Sequence, residues 1–174
     1  MSDVELDTKN LDQLIKALKN NLGRGRVGIL GAKTVRNDIE VKASTKINAT
    51  KGTRPKAPFN ASTNAGLGAI HEFGAGHIPP RSFLRMPISD NLQKEMESQG
   101  LFTKDKLYEV VKTSSIVPWL EIVTNIAEGI VLQAFETGGF GKWPAWKTPG
   151  YRNRNNRLLD DTGQLRDSIT SEVK

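Results

Sequence analysis

The sequence contains no cysteine. Disulfide bridges and thiolate-bound zinc are therefore excluded, and nothing in its composition points to an oxidising compartment. It holds only two histidines, His71 and His77, which leaves little from which to build a serine-type catalytic triad, and there is no G-x-S-x-G nucleophile turn. Aromatic residues are few, with six Phe, three Trp and two Tyr. No apolar run approaches the ~18 residues needed to cross a bilayer, and the opening stretch MSDVELDTKNLDQ lacks the cationic and apolar regions of a secretory signal. The expectation is an intracellular, soluble product.

Charge of one sign is plentiful. The 174 residues carry a formal net charge of +6, but from Arg24 to Lys56 nine cations face only Asp38 and Glu40, a surplus of seven. Such a block favours a polyanion, since each lysine or arginine near a phosphate releases a condensed counterion. No aromatic residue interrupts the block before Phe59 to stack on a base. An ordinary solvated surface is the competing reading.

The length suits one domain, residues 1–174, and periodicity divides it into elements. Leu11, Leu14, Ile15, Leu18 and Leu22 recur at helical spacing, and Gly23 ends the run. Val27 and Ile29, then Ile39, Val41 and Ala43, alternate with polar residues and suggest an antiparallel strand pair. Residues 45–62 form a long basic loop without a period of their own. Asn64 caps a short helix through Leu67, Ala69, Ile70 and Phe73 that Gly74 stops. Pro79 and Pro80 force an extended path. Ser89 or Asp90 opens another helix to about Ser98, and Thr103 a further one through Leu107, Val110 and Val111.

The strongest pattern runs from Ile116 to Phe135, a wide apolar stripe with Pro118 in its first turn and Gly138-Gly139 at its end. Residues 138–157 are irregular, aromatic and basic, and a turn at Thr162-Gly163 leads to an alternating strand from Ile169 to Val173. The fold class expected is α+β: a small antiparallel sheet packed against a long amphipathic helix, with an N-terminal helix and a long basic loop.

Motifs with chemical potential fail on spacing. His71-Glu72 resembles the start of a zinc-protease helix, but the second histidine stands six residues on, beyond two glycines, where i and i+4 on one helix are required. The glycines of GLGAIHEFGAG lack the surrounding strand-to-helix unit of a dinucleotide site and read as packing and helix-stop residues. Thr162 lies in DDTG, the aspartic-protease triplet, yet no second lobe accompanies it. No catalytic, metal or cofactor residue is assigned, and an enzyme is not expected. Trp143, Trp146 and Tyr151 either pin the irregular segment to the body or anchor a protein interface.

Three collinear stretches carry a resemblance: VGIL (27–30), IHEFGAGHIPPRSFLRMPI (70–88) and LLDDTGQLRDSITSEV (158–173), the last two separated by the long helix. Their order resembles the virion-morphogenesis, or tail-completion and head–tail joining, proteins of tailed bacteriophages. That resemblance implies a non-catalytic α+β subunit, without cofactor, that closes into a ring, typically a hexamer, in the neck of the virion after assembly in the host cytoplasm. Its partners would be further copies of itself, the head connector or stopper, the tail terminator or tail tube, and DNA in the channel, with no membrane. Ile78, Pro79, Arg81, Phe83 and Leu84 would dock on the body or on a neighbouring subunit, Arg81 against a carboxylate, with Trp143 and Trp146 at the same kind of interface. Lys46, Lys51, Arg54 and Lys56 would face channel DNA, through phosphates rather than base edges, or an acidic face of the next ring. The alternative is a sequence-neutral DNA-binding protein.

Overall fold

A computed structural model describes residues 23–30, 63–76, 78–113, 115–145, 158–159 and 162–174, together with positions 12, 15, 16 and 19. The elements in chain order are β1 (Gly25–Ile29), α1 (Asn64–Phe73), α2 (Arg85–Ser98), α3 (Lys104–Thr113), α4 (Val117–Thr137), α5 (Gln164–Asp167) and β2 (Ile169–Val173). Asp12, Ile15, Lys16 and Lys19 are also helical. This is the α+β arrangement expected.

α4 organises the rest because it is apolar on more than one side. One side packs against both strands, and another against α2. Phe83, Val131, Phe135, Leu165 and Ile169 form one buried cluster, with Val27, Ile29, Leu84 and Trp143 packed around it. Met96, Leu101, Ile126 and Ile130 form a second, between α4 and α2. Phe135 is 1 % exposed and meets Phe83 at 5.1 Å between ring centroids. The helix begins with Pro in its first turn and ends at Gly138 in the left-handed conformation, as its sequence punctuation indicates.

β1 pairs antiparallel with β2, from Gly25 opposite Val173 to Ile29 opposite Ile169; the 39–43 run expected to pair with β1 lies outside the described residues. Two expectations are corrected. The cap of α1 is Thr63 rather than Asn64: its Oγ1 accepts the Gly66 N–H at 3.0 Å. α2 begins at Arg85, four residues before Ser89, because its cap comes from elsewhere in the chain. Between Gly163 and β2 the chain also makes one helical turn, α5, which drives Leu165 into the core.

Truncating Phe135 to Ala should cost about 3–5 kcal/mol of unfolding free energy in a urea titration. Phe102→Ala, at a side chain that is 52 % exposed, should stay within about 0.5 kcal/mol of the parent.

Candidate functional site

The segment from His71 to Arg85 folds into a clasp. α1 stops at Gly74, whose φ of 78° is left-handed and whose missing side chain leaves room for the Ile78 carbonyl and Pro80, each about 3 Å from where a Cβ would stand. Ala75 and Ile78 then exchange backbone hydrogen bonds of 3.1 and 2.9 Å, reversing the chain. The returning strand runs back past α1, with the Arg81 N–H donating to the His71 carbonyl at 2.7 Å.

This return brings the beginning of α2 onto Glu72. Its carboxylate, 4 % exposed as a residue, accepts from Ser82 Oγ (2.6 Å), Phe83 N (2.9 Å), Leu84 N (3.0 Å) and Arg85 N (3.1 Å). Ser82 Oγ in turn accepts the Met86 N–H at 3.0 Å. The first N–H groups of a helix have no partner within it and carry a partial positive charge. Glu72 supplies both the acceptors and the opposite charge, from a different helix. The Arg85 guanidinium adds a longer ion pair at 3.8 Å and lies over the Phe73 ring at 5.8 Å.

Arg81 performs a second fastening. The expected carboxylate partner is replaced by backbone: Nε donates to the Pro144 carbonyl at 3.0 Å and Nη2 to the Ala145 carbonyl at 3.2 Å. The available carboxylate is already filled by backbone donors, so the guanidinium takes carbonyl dipoles instead. Trp143 Nε1 donates to the Ser82 carbonyl at 2.9 Å, and its ring meets Phe135 edge-on at 5.9 Å. That ring occupies the space a side chain at Gly139 would fill, so Gly139, with φ of 68°, is required twice over.

The predicted interface residues therefore divide. Arg81 and Phe83 are 7 % and 3 % exposed within the chain itself, so they fasten the chain's own body. Leu84 and Trp143 are half-buried against the same cluster, and Ile78 and Pro79 are half-buried in the turn. Trp146, His77, Tyr151 and the basic residues Lys46, Lys51, Arg54 and Lys56 lie outside the described residues. The glycine-rich stretch is a packing device: a Cβ at Gly68 would stand 2.9 Å from Ile29 Cδ1. In the DDTG stretch, Thr162 is exposed and Gly163 caps α5.

A cavity of 310 Å³ opens beside the clasp, with Met86, Pro87, Phe140 and Trp143 as its apolar walls and Arg85 at its edge. Lys142 Nζ and Asp90 Oδ2 close part of its rim at 2.7 Å. Glu72 at its base is committed to four hydrogen bonds, so it is not poised to move a proton. No group of three side chains among the described residues is placed to hold a metal ion. Sequence reasoning excludes Glu72 from a metal motif but misses its role as the cap of α2. The available signals were Ser82, and Pro87 in the first turn of α2, both of which mark a helix start near Arg85.

His71 is the titratable group under tension. Its Nδ1 is buried without a hydrogen-bond partner. Burial, and then the nearby Arg81 charge, push its pKa from 6.5 down to about 4.

Glu72→Ala should destabilise the fold by about 3–5 kcal/mol, since several buried or half-buried donors lose their acceptor together. Glu72→Gln should lie between that variant and the parent in the same denaturant titration. The His71 imidazole is held neutral in the fold, so its contribution is complete above pH 6.5 and drains away as the pH falls from 6.5 through about 4. Across that window stability should drop at up to ~1.4 kcal/mol per pH unit from this group. His71→Gln should remove that slope, and identical pH profiles for parent and variant would contradict the assignment.

Compared with protein-family models, curated proteins and solved structures, the chain matches none.

Proposed function

We propose that this chain is a structural virion protein of a tailed phage: a tail-completion or neck subunit that forms a ring joining the tail to the head connector around the DNA channel. One observation carries the reading. The three stretches on which the resemblance rests, 27–30, 70–88 and 158–173, are far apart in the sequence and contribute Val27, Ile29, Phe83, Leu84, Leu165 and Ile169 to a single core. Motifs that share a core belong to one inherited architecture more readily than motifs that fall on separate surfaces.

The chemistry of the clasp supports the same conclusion. Its carboxylate and guanidinium are both spent on backbone groups, which is what a load-carrying scaffold requires. Exposed large apolar side chains, Phe102 and Tyr108 at 52 % and 59 % and Met86 at 44 %, provide surface for neighbours in an assembly. The expected ring is a hexamer, with the connector or stopper on one side and the terminator or tail tube on the other.

The surplus of seven cations between Arg24 and Lys56 favours a second reading, a sequence-neutral DNA-binding protein. The two differ in what they require. A free DNA binder acts alone and loses affinity steeply with salt, whereas a neck subunit acts only in the particle.

Electron microscopy of particles from a phage with an amber mutation in this gene should show filled heads beside separate tails. Intact infectious particles would overturn the virion assignment, and salt-sensitive binding of duplex DNA by the purified chain would then favour the second reading.

A further inference from the structure

The cavity beside the clasp has fixed walls. α4 runs out into four successive left-handed residues, Gly138, Gly139, Phe140 and Gly141, with φ of 65°, 68°, 56° and 76°. Only Phe140 among them bears a side chain, and a side chain disfavours that region. Such strain persists where the surroundings hold it, and it clusters at binding surfaces. Backbone bonds hold it here: Gly141 N–H donates to the Thr137 carbonyl at 3.1 Å, Lys142 N–H to the Gly139 carbonyl at 3.1 Å and Trp143 N–H to the Gly138 carbonyl at 3.0 Å. Part of the Phe140 ring packs on the second core cluster, and the rest, with Trp143, walls the cavity. At 310 Å³ the space lies at the lower end of small-ligand pockets, which run from about 300 to 1,000 Å³.

Charge decides what fits. Two carboxylates line the cavity, and both are occupied, Glu72 by its four donors and Asp90 by Lys142 at 2.7 Å. Arg85 is different. Its side chain is 64 % exposed and makes the 3.8 Å ion pair with Glu72 and the contact over Phe73, but its guanidinium donates no hydrogen bond among the described residues. Those planar donors suit an anion. A dianion such as a phosphate would stand near two carboxylates, and a cation near Arg85 and Lys142. A single negative charge joined to an apolar group matches the lining.

We infer that the cavity receives the C-terminal residue of a partner polypeptide, with a large apolar side chain between Met86, Pro87, Phe140 and Trp143 and the terminal carboxylate on Arg85. The last residue of a chain carries both groups a few bonds apart. A polypeptide is favoured over a free small acid by the surface beyond the mouth. Met86 and Phe73 are 44 % and 59 % exposed, and the Arg85 guanidinium lies over the Phe73 ring, so residues preceding the anchor continue across them. A ligand confined to the cavity would leave that apolar surface in water. The site goes beyond the neck reading, since it needs only this chain's own residues.

The probe is the peptide Ser-Gly-Ser-Gly-Phe with a free carboxylate, titrated into the ¹⁵N-labelled full-length chain. The amide signals of Arg85, Met86 and Phe140 should shift saturably, and the C-terminally amidated peptide should bind at least about tenfold more weakly. Arg85→Gln, at a largely exposed side chain, should keep the parental spectrum elsewhere and bring the free acid down to the level of the amide. Met86→Glu should abolish binding of the acid while the fold remains, because a glutamate suits the first turn of a helix. Equal binding of acid and amide, an acid unaffected by Arg85→Gln, or no shift at these residues would overturn the site. 3-Phenylpropionate binding as tightly as the peptide would overturn the polypeptide assignment in favour of a small acid. These readouts use purified protein alone, so the site can fail while the amber phenotype holds, or the reverse.

Discussion

A single carboxylate determines how the halves of this molecule meet. Glu72 ends one helix and starts another. Because its oxygens accept from Ser82, Phe83, Leu84 and Arg85, the direction of α2 is tied to the end of α1 and not to any residue of α2 itself. α2 then sets one wall against α4, while Phe83, carried in the same short stretch, fills the core between α4 and α5. Removing the negative charge leaves a helix start without its counterpart, and the stretch that delivers Phe83 loses its reason to be there. The cost is local in chemistry and global in geometry.

Arg81 extends this logic from a helix to an irregular segment. Residues 143–145 have no regular partner, so their position depends on side chains reaching across more than sixty residues of sequence. Arg81 takes two of their carbonyls and Trp143 returns a bond to Ser82, so each stretch holds the other. Among the described residues, the Arg81 guanidinium is held by carbonyl dipoles. Burial, and then the Arg81 charge, hold the neighbouring His71 imidazole neutral, and burial lowers the Arg81 pKa as well.

The elements legible in the sequence are those whose signal is local. The stripe from Ile116 to Phe135, the stop at Gly74 and the alternation from Ile169 to Val173 each state their structure within a few residues, and the fold follows them. What escaped depends on distant partners. The start of α2 is not legible locally because its cap lies ten residues or more upstream, and charge in a sequence points Arg81 to a carboxylate while a free carbonyl leaves no mark there. The pairing of β1 with β2 is illegible for the same reason: nothing near Val27 points to Ser171. Of the candidate site, spacing alone removes His71 and Glu72 from a zinc-protease motif, but the bonds that Glu72 makes appear only in three dimensions.

The pairing of β1 with β2 also sets an order of events. Gly25 meets Val173, almost the whole described length away, and a contact between such distant positions closes a large loop before any strand bond rewards it. During synthesis, α4 emerges with its sheet-facing side bare, and Leu165 and Ile169, which cover it, are made only later. Closure of this core therefore waits on β2, which is made after every other described element.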